Sequence, residues 1–272
     1  MALPGGLTLS CALQGAASDV ALVLLPGPTD SWRSYAPILD LLPPSIRTVA
    51  VSLRGHGDSD KPGSGYRVAD LAGDVVPLLD ALEVERAVLA GHSGSCLVAR
   101  RVAIESPERV AGLVLEASPT TLRGHAGLEE LVASVISGLE DPIDPAFARS
   151  VILDTSTDDL DHDTVELLVQ DLLQVPARVW RELFADLLRY DDTAELARIR
   201  APALLLWGDA DELVGRAAQD QLARDLPRAE LVVYPGLGHT PRWEDPAAVA
   251  TDVAAFVERC IDGPPPDAAM GP

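Results

Sequence analysis

The chain predicts an α/β fold: a mostly parallel sheet with helices on both faces, interrupted by one all-helical insertion. Three observations predict it. Short apolar runs alternate with segments of helical spacing from residue 7 to about residue 118. That rhythm stops near Pro119 and resumes near Ala201, with only helical spacings between. Finally, 272 residues at 47% hydrophobic content can bury one large core and a smaller appendage.

In chain order, strands are predicted at 7–14, 20–25, 46–53, 87–90, 110–116, 203–207 and 230–234, each an apolar or β-rich run bounded by turn residues. Helices are predicted at 34–41, 68–82, 95–105, 215–225 and 246–261. Within the insertion, segments 128–139, 145–153, 164–173 and 177–188 carry helical spacing and are separated by Asp/Pro/Thr clusters. The expected organisation is a core made of 1–118 and 200–262, a helical cap at 119–199, and an irregular Pro-rich tail at 263–272.

Composition narrows the function classes. With 42 acidic against 21 basic residues the net charge is -21, so a phosphate backbone is repelled and nucleic-acid binding is not expected. No apolar run spans a membrane and the N-terminus has no secretory pattern, so a cytoplasmic protein with no membrane partner is expected. The three cysteines, Cys11, Cys96 and Cys260, are widely spaced and suit reduced thiols. No metal site or cofactor is indicated; the expected partner is a small-molecule substrate, and the oligomeric state is not legible.

The chemistry centres on Ser93. Ala87 to Ala90 suit a buried strand, Gly91-His92-Ser93-Gly94 breaks the run, and a helix follows. A serine on such a strand-to-helix turn presents its hydroxyl outward, with a helix N-terminus behind it. A serine nucleophile needs a base and a group that orients the base. His239, in the turn Pro235-Gly236-Leu237-Gly238-His239, is the candidate base. Asp211, after the strand at 203–207, is the candidate acid, with Asp209 and Glu116 as rivals. All three candidates follow the carboxyl ends of predicted strands, where open parallel sheets place their sites. His56 is expected to be structural, His92 packed beneath Ser93, and His125 and His162 on the surface.

Five segments occur in a recognisable order: 24–32 (LLPGPTDSW), 54–62 (RGHGDSDKP), Gly91-His92-Ser93, Trp207-Gly208-Asp209-Ala210-Asp211 and Gly236-Leu237-Gly238-His239. With them the chain resembles the α/β-hydrolase fold family, in cap-bearing serine hydrolases of esterase, lactonase and haloperoxidase type. The resemblance implies an α/β-hydrolase fold and the chain order Ser93, Asp211, His239 for nucleophile, acid and base. It implies a serine hydrolase acting on a small, mostly apolar carboxylic ester or lactone through an acyl-enzyme. Cofactor-free haloperoxidase or perhydrolase chemistry and carbon–carbon bond hydrolysis remain open on the same residues. Epoxide hydrolases and haloalkane dehalogenases of this fold use an aspartate nucleophile, which Ser93 argues against.

Two residues depart from the family pattern. Gly94 supplies one backbone N–H to an oxyanion, but the position that gives the second is Pro28, which has none. A missing donor costs ~3 kcal/mol, unless the Thr29 N–H, the Thr29 hydroxyl or the Ser95 hydroxyl replaces it. Ser95 stands where Gly-x-Ser-x-Gly has its last glycine, which resembles the elbow of the strigolactone and karrikin receptors and keeps a slow, ligand-sensing hydrolase with a protein partner as an alternative. Gly27, Glu116, Trp180 and Phe184 are the expected pocket residues, with Leu183, Leu187 and Leu188 on the same helical face.

Overall fold

The computed structural model describes residues 1–155, 160 and 162–262. Seven strands form one sheet: β1 (Cys11–Gln14), β2 (Val20–Leu25), β3 (Thr48–Val51), β4 (Arg86–His92), β5 (Val110–Glu116), β6 (Ala203–Gly208) and β7 (Ala229–Tyr234), in the order β1-β3-β2-β4-β5-β6-β7. β1 runs antiparallel to β3, and every other pair is parallel. The central strands read as unbroken apolar runs because both of their faces are covered.

Alternation along those strands divides the core. Ala21, Val23 and Leu25 of β2 face the helices α2 (Val68–Ala81), α3 (Ser95–Glu105) and α8 (Arg216–Asp225). Val20, Leu22 and Leu24 face α1 (Ala36–Leu39) and α9 (Pro246–Asp262) on the other side. Each fully buried Leu or Val there contributes about 1.5–3 kcal/mol of burial free energy. No helix among the described residues is long and apolar enough to cross a membrane.

Between β5 and β6 the chain inserts α4 (Ala126–Ser134), α5 (Pro145–Asp154), α6 (His162–Leu173) and α7 (Ala177–Leu187). Ile152, Leu168, Leu172 and Trp180 of the insertion form an apolar cluster that also takes in Tyr66 and Trp243 of the core. Polar side chains of α7 fasten the insertion to the core. Arg178 donates to the carbonyls of Lys61 and Pro62, Glu182 accepts from the N–H groups of Gly65 and Tyr66, and Asp186 accepts from the N–H of Val68. Arg100 of α3, fully buried, grips both crossing points. Its guanidinium donates to the Pro119 and Thr120 carbonyls at 2.9 Å, where the insertion leaves the sheet. It also donates to both oxygens of Asp192, at 3.1 and 2.6 Å, where the chain returns.

Several elements differ from the sequence reading: the strand expected at 46–53 is Thr48–Val51, and the one expected at 87–90 runs from Arg86 through Gly91 to His92. The expected strand at 7–14 narrows to Cys11–Gln14, because the N–H groups of Thr8 and Ser10 turn to the Asp60 carboxylate and the Ser59 hydroxyl instead of a strand partner. The expected helix at 34–41 is a 3-10 turn over Trp32–Tyr35 followed by four residues of α1, which Pro37 opens. The segment 128–139 divides into α4 and a 3-10 turn at Ile136–Gly138. The irregular tail expected at 263–272 lies outside the described residues.

The Arg100 clamp yields the first prediction. Asp192→Ala leaves a buried guanidinium uncompensated, and urea denaturation should show a loss of ~3–5 kcal/mol. A loss near that of an exposed ion pair, below ~1 kcal/mol, would contradict the clamp.

Candidate active site

Ser93 closes the turn between β4 and α3 with φ at +51°, a left-handed conformation rare outside glycine. Two contacts hold it there. The Ser93 N–H donates to the Glu116 carbonyl of the neighbouring strand at 2.9 Å. Two residues earlier, a Cβ on Gly91 would lie 2.8 Å from Cys96 N and Ser95 O, so only glycine lets α3 start so close to the strand. The Ser93 side chain therefore stands at the cavity wall, over the first turn of α3.

His239 arrives from the loop after β7. A Cβ on Gly208, at the end of β6, would sit 2.2 Å from Leu237 O, so glycine is needed for the loop to pass over that strand end. His239 Nδ1 lies 2.9 Å from Asp211 Oδ2. Since the carboxylate can only accept, Nδ1 carries the proton and Nε2 is left as the base. The other Asp211 oxygen accepts from the N–H groups of Leu213 and Val214 at 2.8 and 2.9 Å, which fixes the carboxylate. Asp209 is occupied elsewhere, accepting from the Gly236 N–H at 2.6 Å, and it braces the loop rather than the imidazole.

His92 is buried beneath this pair, its ring centroid 5.0 Å from that of His239. Its Nε2–H donates to the His239 carbonyl at 3.0 Å, and burial pushes the imidazole well below its ordinary range, so it stays neutral. On the opposite wall, Thr29 has φ at +75° and is nearly fully buried. Its hydroxyl donates to the Pro28 carbonyl, and the Ser95 hydroxyl donates to the Pro26 carbonyl. Both hydroxyls considered as substitute oxyanion donors are thus engaged. Thr29 and Gly94 both line the cavity, with the Pro28 ring lying against Gly94.

These groups open into one cavity of about 360 Å³, within the range of small-ligand sites. Gly27, Pro28, Thr29, Ser93, Gly94 and His239 line it from the sheet side; Phe147, Trp180, Phe184 and Leu187 line it from the insertion. Trp180 and Phe184 stack with centroids 5.6 Å apart. No lysine or arginine is among the described lining residues; Asp30 and Asp154 are the carboxylates there. Burial pushes the Asp30 carboxyl up to about 7, outweighing the pull of the neighbouring Arg242.

Some expectations are corrected. Glu116 does not line the cavity: its carboxylate is buried against Arg242 and its carbonyl serves Ser93. Leu183 turns into the sheet-side core rather than the pocket. His125, expected on the surface, caps α4 by accepting from the Leu128 N–H, bonds to the Leu213 carbonyl, and lines the cavity. His162 is exposed, as expected, and His56 is buried with its Nδ1 on the Arg54 carbonyl. Sequence reasoning missed Asp30, Thr240, Arg242 and Trp243; the only available signal was their place within a few residues of loops already singled out.

The fold and this arrangement define an α/β hydrolase, and comparison with known proteins agrees. The model of the family described as "Alpha/beta hydrolase family" matches residues 22–253, and the chain belongs to that family. It is 30% identical to a pimeloyl-acyl-carrier-protein methyl ester esterase of Pectobacterium carotovorum, over 89% of this chain and 96% of that one. It is also 30% identical to a non-heme chloroperoxidase of Streptomyces lividans, over 84% and 87% of the two chains. Among solved structures it resembles a hydrolase from Pseudomonas aeruginosa, with a TM-score of 0.83, 28% identity and coverage of 94% and 97%.

Acid stability follows from His56. Burial pushes its imidazole from 6.5 to about 4. The unfolded chain therefore takes up the proton first, so this contribution is present above pH 6.5 and is lost as pH falls towards 4. Between pH 7 and 5, urea denaturation should show wild type losing about 2 kcal/mol more than His56→Gln. Equal losses in the two proteins would refute the assignment.

Proposed function

We propose that the protein is a serine hydrolase that cleaves a small, mostly apolar carboxylic ester or lactone through an acyl-enzyme. The carrying observation is the His239–Asp211 hydrogen bond of 2.9 Å at the wall of an apolar cavity that also holds Ser93 on its left-handed turn. In this reading His239 Nε2 takes the Ser93 proton as the hydroxyl attacks the acyl carbon. Asp211 keeps the imidazole in the tautomer that makes Nε2 the base and stabilises the imidazolium. The Gly94 N–H and the Thr29 N–H receive the developing oxyanion. His239 then returns the proton to the leaving alcohol and activates water against the acyl-enzyme. In a lactone the leaving alcohol stays tethered, and the product is one hydroxy acid.

The lining favours an uncharged acyl group. An anionic substrate would enter a cavity whose described lining holds no lysine or arginine, in a chain of net charge -21. Aromatic and aliphatic walls exclude water and make oxyanion donors count for more. A second reading uses the same acyl-enzyme with peroxide in place of water; the likeness to the chloroperoxidase supports it. Peroxide-dependent halogenation that requires a short carboxylic acid and Ser93 would favour this reading.

The test is a p-nitrophenyl ester series of increasing chain length, with Ser93→Ala as the control. Wild type should exceed Ser93→Ala by ~10⁴-fold or more in kcat/KM; equal rates would end the hydrolase reading. Asp211→Asn should lose ~10²–10⁴-fold in kcat, while Asp209→Asn keeps most activity; the reverse order would reassign the acid. Pro28→Ala should bring no gain beyond about threefold, because the Thr29 N–H already serves the oxyanion. A gain nearer a hundredfold would show the place to be empty.

A further inference from the structure

Arg242 sits three residues beyond His239 and is fully buried. Its backbone N–H donates to Glu116 Oε1 at 3.0 Å and its Nη1 to Glu116 Oε2 at 3.1 Å. Nη2 reaches Asp30 Oδ2 at 3.2 Å, and Nε reaches the Ser34 carbonyl at 3.2 Å. The guanidinium packs on the faces of the Tyr35 and Trp243 rings, 4.9 and 4.8 Å from their centroids. One side chain thus touches three segments that each carry part of the site. Glu116 ends the strand whose carbonyl holds the Ser93 N–H. Asp30 follows Thr29 on the oxyanion-side loop, and Arg242 belongs to the segment that carries His239.

We propose that Arg242 is a positioning residue that, through Glu116 and Asp30, holds the His239 segment, the strand end behind Ser93 and the Thr29 loop in one register for catalysis. The inference rests on the reading of Ser93 and His239 given above. Stability alone does not account for the cluster. A buried cation with its carboxylates is commonly replaced by apolar groups with no loss of stability. A planar fork with several donors in fixed directions instead fixes the relative placement of whatever accepts them. Here those acceptors sit on the loops whose alignment sets the attack geometry, and a displacement near 1 Å there can cost ~10²-fold in rate.

The neutral double variant Arg242→Met/Glu116→Gln tests this, with Arg242→Lys as the conservative partner and the ester assay and urea denaturation as readouts. The double variant should fold, lose about a hundredfold in kcat and keep KM within about threefold. Arg242→Lys, which keeps the charge without the fork, should fall between it and wild type. A folded double variant that loses less than about tenfold in kcat, or whose loss lies in KM, overturns the proposal. If the double variant does not fold, Arg242→Lys decides: a kcat loss under about fivefold at unchanged KM overturns it, and a larger one supports it. Should neither variant fold, the network is a determinant of the fold and the proposal fails. Wild type no faster than Ser93→Ala would instead sink the underlying hydrolase reading.

Discussion

A serine held at φ +51° between β4 and α3 is the constraint on which the rest of the site depends. An L residue costs of order 1–3 kcal/mol in that conformation, so the surroundings must over-determine it. They do so through Gly91, which lets α3 begin against the strand, and through the Glu116 carbonyl, which takes the Ser93 N–H. Both supports come from the middle of the sheet, where β4 and β5 are covered on both faces. A rigid interior thereby stores local strain at its edge. The neighbouring loops then have a fixed object to be built around.

The insertion obeys a different economy. Its apolar cluster takes in Tyr66 and Trp243 of the core, Leu183 and Leu187 pack into the sheet-side core, and directed polar contacts fix the placement of α7. Arg100 grips both crossing points from within α3, the helix that also starts behind Ser93. The root of the insertion and the nucleophile turn therefore share one rigid element. Trp180, Phe184 and Leu187, all on α7, are carried into the cavity wall by the same helix whose Arg178, Glu182 and Asp186 bind the core. An acidic chain in which Lys61 is the single lysine makes these joints with arginine, whose fork suits several fixed acceptors at once.

What was legible in the sequence was local. Val20–Leu25 and Val110–Glu116 are continuous apolar runs, and Ser95–Glu105 follows a turn that only a small set of residues permits, so their boundaries could be read directly. Ser93, Asp211 and His239 each follow a strand, and the structure brings the latter two into a hydrogen bond and all but the Asp211 carboxylate to the cavity wall. What failed was non-local. Glu116 was assigned to the pocket because its strand ends there, but Arg242, 126 residues away, claims its carboxylate. His125 is expected on the surface, but besides capping α4 locally it bonds the Leu213 carbonyl, 88 residues further on. Burial of a charge depends on a partner that no periodicity announces. Leu7 to Ser10 illustrates the same limit for backbone groups, since side chains of the 59–60 turn capture the N–H groups that a strand would have used.

The two departures from the family pattern belong together. Pro26 and Pro28 fix two φ angles in a three-residue stretch, which removes freedom from the loop but also removes the N–H at position 28. The next residue, Thr29, has φ +75°, an unfavourable conformation for a β-branched side chain. Such strain persists only if the loop is held from outside. Ser95 does this, since its hydroxyl bonds the Pro26 carbonyl, a contact that the usual glycine could not make. The Asp30 N–H closes the turn on the Gly27 carbonyl at 3.0 Å, and Asp30 itself is held by Arg242. The serine that replaces the last glycine of the elbow is thus an anchor for a loop that two prolines have stiffened. In the proposed hydrolase, that stiffening would place the Thr29 N–H where the missing donor belongs.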